Sequence, residues 1–129
     1  MSYSYKDLLA WQNAKALAVQ TYRATEAFPK SEVFGLTSQM RSAAVSIASN
    51  IAEGQGRSSR PDFTRFLRIS RGSLLELETQ LEIAQELKFG DHRLLSELHE
   101  DCYKLLGLLN RLIKSVEAKA PLKQPAQPV

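Results

Sequence analysis

The chain has 129 residues, of which 43% are hydrophobic, 24% charged and 8% aromatic, the length of one domain and the composition of an ordinary globular protein. These figures exclude a collagen-like repeat, a wholly disordered chain and a disulfide-rich miniprotein, Cys102 being the single cysteine. The net charge of +3 admits an acidic partner without requiring one.

The N-terminal Met1-Ser2-Tyr3-Ser4-Tyr5-Lys6-Asp7 lacks the apolar stretch of a signal peptide, and no later run approaches the roughly 18 apolar residues of a membrane span. The expected location is the cytoplasm, with no membrane partner. A first helix is expected from about Lys6 to Ala27, because Leu8, Trp11, Ala14, Ala18, Tyr22 and Thr25 recur at steps of three and four. Pro29 then pushes Phe28 out of the helical region and stops it. A second runs from Val33 to about Glu53, with Leu36, Met40, Ala44, Ile47 and Ile51 on one face. Gly54 is its expected C-terminal cap, since glycine takes the left-handed conformation cheaply.

After the loop from Gln55, Ser58 or Ser59 can cap a third helix over about Arg60 to Lys88, with Pro61 and Asp62 suited to its first turn. Its inner face reads Phe63, Phe66, Ser70, Leu74, Leu77, Leu81 and Ala84, and Gly90 closes it. Asp91 caps a fourth helix from roughly His92 to Lys119, turned inward through Leu95, Leu98, Cys102, Leu105, Leu109, Leu112 and Val116. No strand alternation competes, and no internal repeat is evident. The tail, residues 120–129, carries three prolines and is expected to be disordered, leaving 1–119 as the domain.

Helices of this length, at about 1.5 Å per residue, would each span roughly 30–40 Å. Short connections favour antiparallel neighbours, so the expected fold is all-α, an antiparallel up-down-up-down four-helix bundle. Leu75 and Ile83 flank the third seam, and Leu94, Leu106, Leu108 and Ile113 the fourth. A wide buried stripe would account for them, and so would a neighbouring subunit; a homo-oligomer is the expected state.

Charge is distributed unevenly. Between Arg41 and Arg71 lie six arginines (41, 57, 60, 65, 68 and 71) against Glu53 and Asp62, whereas Glu76, Glu78, Glu82 and Glu86 face only Lys88 just beyond. In an antiparallel bundle the second loop shares an end with the N-terminus and the end of the fourth helix, which brings Lys6, Lys114 and Lys119 to the same pole. Arginine's planar fork donates paired hydrogen bonds to phosphate. Arg57, Arg60, Arg65 and Arg68 are therefore candidate contacts for RNA or DNA backbone, with Arg41, Arg71 and Lys114 in support. A solvated helical face with local ion pairs is the plainer account of the same residues. Phe63 and Phe66 fall in the core stripe, so base stacking has little to stand on.

Gln39, Ser46, Asn50 and Glu53 form a polar line beside the apolar stripe of the second helix, for which a structural role in register or assembly is expected. Glu53, close to a helix C-terminus, meets an unfavourable dipole and calls for a cationic partner. Gly72-Ser73 interrupts a strong helix former and is expected to face Ser42, Ala43 and Ala44, small against small. Catalytic machinery, cofactors and metals are not expected: His92 and His99 lack Glu three residues before them, and there is no Gly-rich phosphate loop, nucleophile elbow or triad-like set.

Three strings carry a family likeness. Phe28-Pro29 precedes Phe34-Gly35-Leu36-Thr37-Ser38-Gln39-Met40-Arg41; Ser46-Ile47-Ala48-Ser49-Asn50-Ile51-Ala52-Glu53-Gly54 follows; then comes Gly72-Ser73-Leu74-Leu75-Glu76-Leu77-Glu78-Thr79-Gln80-Leu81. Together, over roughly Tyr5 to Val116, they resemble the bacterial four-helix-bundle protein family first noted in intervening sequences of large-subunit ribosomal RNA genes. That family is similar to the accessory variability determinant of diversity-generating retroelements. The resemblance implies a homopentamer whose basic surface meets nucleic acid, and no catalytic activity; Gln39, Asn50, Glu53 and Ser73 are its motif residues. Two readings follow: a non-enzymatic oligomer binding phosphate backbone through its basic pole, or a scaffold whose partner is another protein.

Overall fold

In the computed structural model the described residues are 4–126, with side chains described as far as residue 118. They form four α-helices, α1 (Leu9–Thr25), α2 (Leu36–Gln55), α3 (Arg60–Glu86) and α4 (His92–Ala126), and no strand is present among them. Of the tail read as disordered, residues 127–129 lie outside the described residues, and the side chains of the rest lie outside the description.

Local chemistry sets each boundary. Ser4 Oγ accepts from the Lys6 N–H at 3.1 Å and starts a 3-10 turn, Tyr5–Asp7, ahead of α1. The chain leaves α1 at Thr25, before the Phe28-Pro29 stop, and Glu32 Oε1 accepts from the Leu36 N–H at 3.0 Å where α2 begins. Ser59 caps α3, its hydroxyl accepting from the Asp62 N–H at 3.2 Å, with Pro61 in the first turn. Asp91 Oδ1 accepts from the Arg93 and Leu94 N–H groups at 2.8 and 3.2 Å at the head of α4. Between α3 and α4 the chain turns through two left-handed residues, Lys88 (φ 61°) and Gly90 (φ 69°).

Hydrogen bonds across the helices show the antiparallel order. Ser70 and Ser73 of α3 reach Ile47 and Ser46 of α2, while Arg71 and Arg68 reach Asn110 and Glu117 of α4. Both remaining turns meet at the opposite end, where the Phe28 and Phe89 rings lie 5.6 Å apart. The core between the four helices is built on Leu17, Met40, Ile47, Ile51, Leu67, Leu74, Leu77, Leu81, Leu98, Leu105 and Leu109, all essentially buried.

Three expectations are corrected. Gly54 is not a left-handed cap: α2 continues through it to Gln55, and Gly56 follows with φ −78°. Its lack of a side chain serves packing, because a Cβ there would lie 2.6 Å from Phe66 Cβ. Gly72 does the reverse of what its small neighbours suggest. It points outward, and a Cβ there would meet nothing within 4 Å, so its cost of about 1 kcal/mol relative to alanine is not offset within the bundle. Finally, α1 is rotated: Ala10, Ala14, Leu17, Thr21 and Ala24 face inward, Trp11 and Ala18 are only partly covered, and Tyr22 is exposed. On α4, similarly, Ile113 is buried and Leu112 only half-buried.

Candidate nucleic-acid interface

The α2–α3 connection holds the first group of cations. With no side chain at Gly54, α3 comes down close upon α2, and Phe66 sits at their junction, 8% exposed. Two guanidinium groups cover its ring: the Cζ of Arg57 lies 4.6 Å from the ring centroid and that of Arg65 4.5 Å. Stacking of this kind is favourable because the ring face is electron-rich and guanidinium is weakly hydrated. Each arginine also holds one carboxylate, Arg57 to Glu53 at 2.7 Å and Arg65 to Asp62 at 3.3 Å. Glu53 thus has its cationic partner at the helix end, four residues on. Both arginine side chains remain substantially exposed, so their other N–H donors face solvent.

The second group descends along α3 and α4. Arg68 pairs with Glu117, and Arg71 donates to Asn110 Oδ1 at 2.9 Å. Asn110, Lys114 and Glu117 advance by four and three, which sets Lys114 on the same edge of α4. Arg60 and Lys114 have no hydrogen-bond or ion-pair partner among the described residues. Arg111, exposed one turn before Lys114, extends the positive charge onto the outer face of α4. A charge count confined to residues 41–71 misses it. Seven cations thus stand with three carboxylates, Glu53, Asp62 and Glu117, over about 17 Å of α3.

Arg41 is elsewhere. It lies near the start of α2, roughly 24 Å along the helix from Arg57, where its Nε donates to Thr25 Oγ1 at 2.8 Å and its Nη2 to the Tyr22 carbonyl at 3.2 Å. Its guanidinium also covers the Tyr22 ring at 4.6 Å. Arg41 bolts α1 to α2.

Of the polar line on α2, Ser46 is joined to α3 and Asn50 is bonded to Ser46 within α2. Ser46 Oγ lies 2.9 Å from Ser73 Oγ, and Asn50 Nδ2 donates to the Ser46 carbonyl at 2.8 Å and to Ser46 Oγ at 3.0 Å. Gln39 is exposed with no partner among the described residues. One heptad below the serine pair on α3 lies Gln80, 5% exposed, whose Oε1 is buried without a hydrogen-bond partner. Cys102 is buried against the core, and burial, assisted by Glu78 and Asp101, pushes its thiol up to about 12, which leaves it protonated and unreactive at neutral pH. Among the described residues no group of three or more His, Cys, Asp or Glu could hold a metal, and no helix is long and apolar enough to cross a membrane.

Comparison with known proteins finds a matching family and similar solved structures. Residues 6–111 match the family described as 23S rRNA-intervening sequence protein. A solved structure from Bacteroides thetaiotaomicron, described as a protein of unknown function from the S23 ribosomal protein family, superposes with a TM-score of 0.74 at 23% identity, covering 82% of this chain and 99% of that one. At that identity the likeness establishes the fold. No curated protein matches significantly.

Proposed function

The chain belongs to the 23S rRNA intervening sequence protein family, and from that premise we propose that it is a non-catalytic, self-associating helical bundle that binds nucleic-acid phosphates through the α2–α3 end and the adjoining α3/α4 edge. The carrying observation is the paired covering of Phe66 by Arg57 and Arg65, continued by Arg60, Arg68, Arg71, Arg111 and Lys114. Stacking fixes two guanidiniums before any ligand arrives, so less side-chain freedom is lost when phosphate binds. The local carboxylates each engage one arginine and leave Arg60 and Lys114 uncommitted. A surface of this kind reads charge and spacing, not bases, and self-association would multiply it.

The test is a salt titration of binding to mixed-sequence RNA and DNA. Affinity should fall log-linearly with salt, by about 0.7 to 0.9 per neutralised phosphate. The double variant Arg65→Glu, Arg68→Glu should weaken binding to all sequences alike and flatten the slope by about two phosphates' worth. Unchanged affinity at unchanged oligomeric state overturns the reading and favours a protein partner.

A further inference from the structure

Aromatic surface lies open on α1 and not on α3. Phe66 is buried beneath two guanidiniums, whereas the rotation of α1 leaves Trp11 half-buried and Tyr22 45% exposed. Both line an open groove of about 600 Å³ between α1 and α2, within the roughly 300–1,000 Å³ of small-ligand sites. Trp11 and Tyr22 are three turns of helix apart, which sets them about 16 Å from each other on one face. Between them the floor is small, Ala18 on α1 and Ala48, Ser49 and Ala52 on α2.

We propose that this groove takes the bases of a single-stranded nucleic acid whose phosphates lie on the cationic end, an inference that deepens the proposed function and rests on it. Three observations select that occupant. The first is shape: small residues between aromatic side chains leave a slot for flat rings, and any base can stack there because every base has a π-face. The second is charge. Lys15 and Arg23 outnumber Glu26 along the rim, and Lys15 Nζ stands 5.5 Å from the centroid of the Trp11 ring, so a polyanion is favoured. The third is position. Tyr5, Trp11 and Ala52 form the end of the groove nearest the α2–α3 connection, and Ala52 stands about 8 Å of helix from Arg57. A strand that leaves the cations on Phe66 is within reach of the groove.

The rings are also held in place. Tyr5 stands edge-on to Trp11 at 71°, with ring centroids 5.2 Å apart, and Arg41, bonded to Thr25 Oγ1 and the Tyr22 carbonyl, covers the Tyr22 ring at 4.6 Å. Side chains fixed before the strand arrives lose less freedom when bases stack on them. Ser49, exposed and without a partner among the described residues, can donate to or accept from a base edge. A continuous duplex keeps its bases paired and stacked inside, so it offers this protein phosphates alone, and unstacked bases are what the groove adds.

Trp11 is the chain's single tryptophan, so its fluorescence reports on the groove directly. The probes are a short mixed-sequence single strand, an abasic sugar–phosphate strand of the same length, the blunt duplex and a nucleoside monophosphate, with strand affinity read by the anisotropy of an end label. The base-bearing strand should quench Trp11 and bind at least about fivefold tighter than the abasic one. The duplex should bind without quenching. Tyr22→Leu should erase most of that fivefold and leave binding of the abasic strand unchanged. Should it lose helicity by circular dichroism, Val19→Gln with Val45→Gln, both nearly half exposed, narrows the groove instead, with the same expectation. Equal affinity for the base-bearing and abasic strands overturns base stacking and leaves the phosphate reading standing. Binding with no change in Trp11, whether the groove stays empty or another chain covers it, does the same. Quenching by the monophosphate at the strand's own affinity assigns the groove to a free ligand and overturns the strand as its occupant. Failure of every strand to bind at low salt overturns the phosphate reading itself, and this inference with it.

Discussion

The α2/α3 seam and the α1/α2 seam share a helix, yet they are closed by opposite means. Along α2/α3 the contacts are small: Gly54 beneath Phe66, Ser46 against Ser73, and Ser70 donating to the Ile47 carbonyl at 2.8 Å. Short side chains let the backbones come together, and their hydroxyls find partners across the seam. Along α1/α2 the side chains are large. Trp11, Tyr22 and Val45 cannot all turn inward, so a groove remains and a single arginine, Arg41, ties the helices. The size of the residues at a seam decides whether its apolar surface is consumed within the chain or left open.

The largest expected effect lies in the closed seam. Gly54→Val should destabilise the protein by about 3 kcal/mol, because the new atoms would overlap Phe66 Cβ and force α3 away from α2. Even Gly54→Ala should destabilise, against the gain of about 1 kcal/mol that alanine brings to an unconstrained helix. Gly72→Ala, whose new methyl meets nothing within 4 Å, should show that gain in full. Urea midpoints of the three proteins check the ordering, and equal shifts for the two alanine variants would remove the distinction between the glycines.

These two glycines also show what periodicity can and cannot reveal. The four helices were legible because apolar residues recur at threes and fours and because Ser59, Pro61 and Asp91 mark starts by local hydrogen bonding. Which way a helix is turned was less legible. On α1 the series Trp11, Ala14, Ala18, Tyr22 and the series Ala10, Ala14, Leu17, Thr21 obey the same spacing. Size favours the first as core, yet the narrow interior takes the second. The basic end could be read from charge alone, but not its organisation on Phe66, since that ring's place depends on the close approach of α3 to α2 that Gly54 permits. Arg41 belongs to a different end, because linear proximity to Arg57 says nothing about height in a hairpin. The exposed stance of Gly72 had no signal in the sequence, where its neighbours Ser42 to Ala44 on α2 suggested contact.

A smaller effect is expected at the bolt of the open seam. Arg41→Ala removes hydrogen bonds to Thr25 Oγ1 and the Tyr22 carbonyl together with the contact over the Tyr22 ring. The loss should be about 1 to 2 kcal/mol in urea unfolding. Arg41→Lys keeps the charge but cannot reach both oxygens through one planar fork, and should recover less than half. Neither variant should alter the salt dependence of nucleic-acid binding, since Arg41 stands far from the cations on Phe66. A flattened slope in Arg41→Ala would return that arginine to the binding surface.

The smallest effect tests a buried, unpaired acceptor on α3, Gln80 Oε1. Gln80 sits a heptad beyond Ser73, level with Gln39 a heptad before Ser46, so the two glutamines occupy the next rung of the same polar ladder. They do not meet: Gln39 is exposed, and Gln80 spends its Nε2 on Glu76 at 3.4 Å while its Oε1 is buried unpaired. A buried acceptor without a donor carries its desolvation cost with no return. Gln80→Met, close in shape and without the amide, should therefore stabilise the protein by about 1 kcal/mol, read as a raised urea midpoint at constant slope. Destabilisation instead would mean that Gln39 turns inward in solution to donate to Gln80. Gln39→Ala would then cost the same as Gln80→Met, with the double variant costing no more, and the polar ladder would run unbroken from Glu53 to the start of α2.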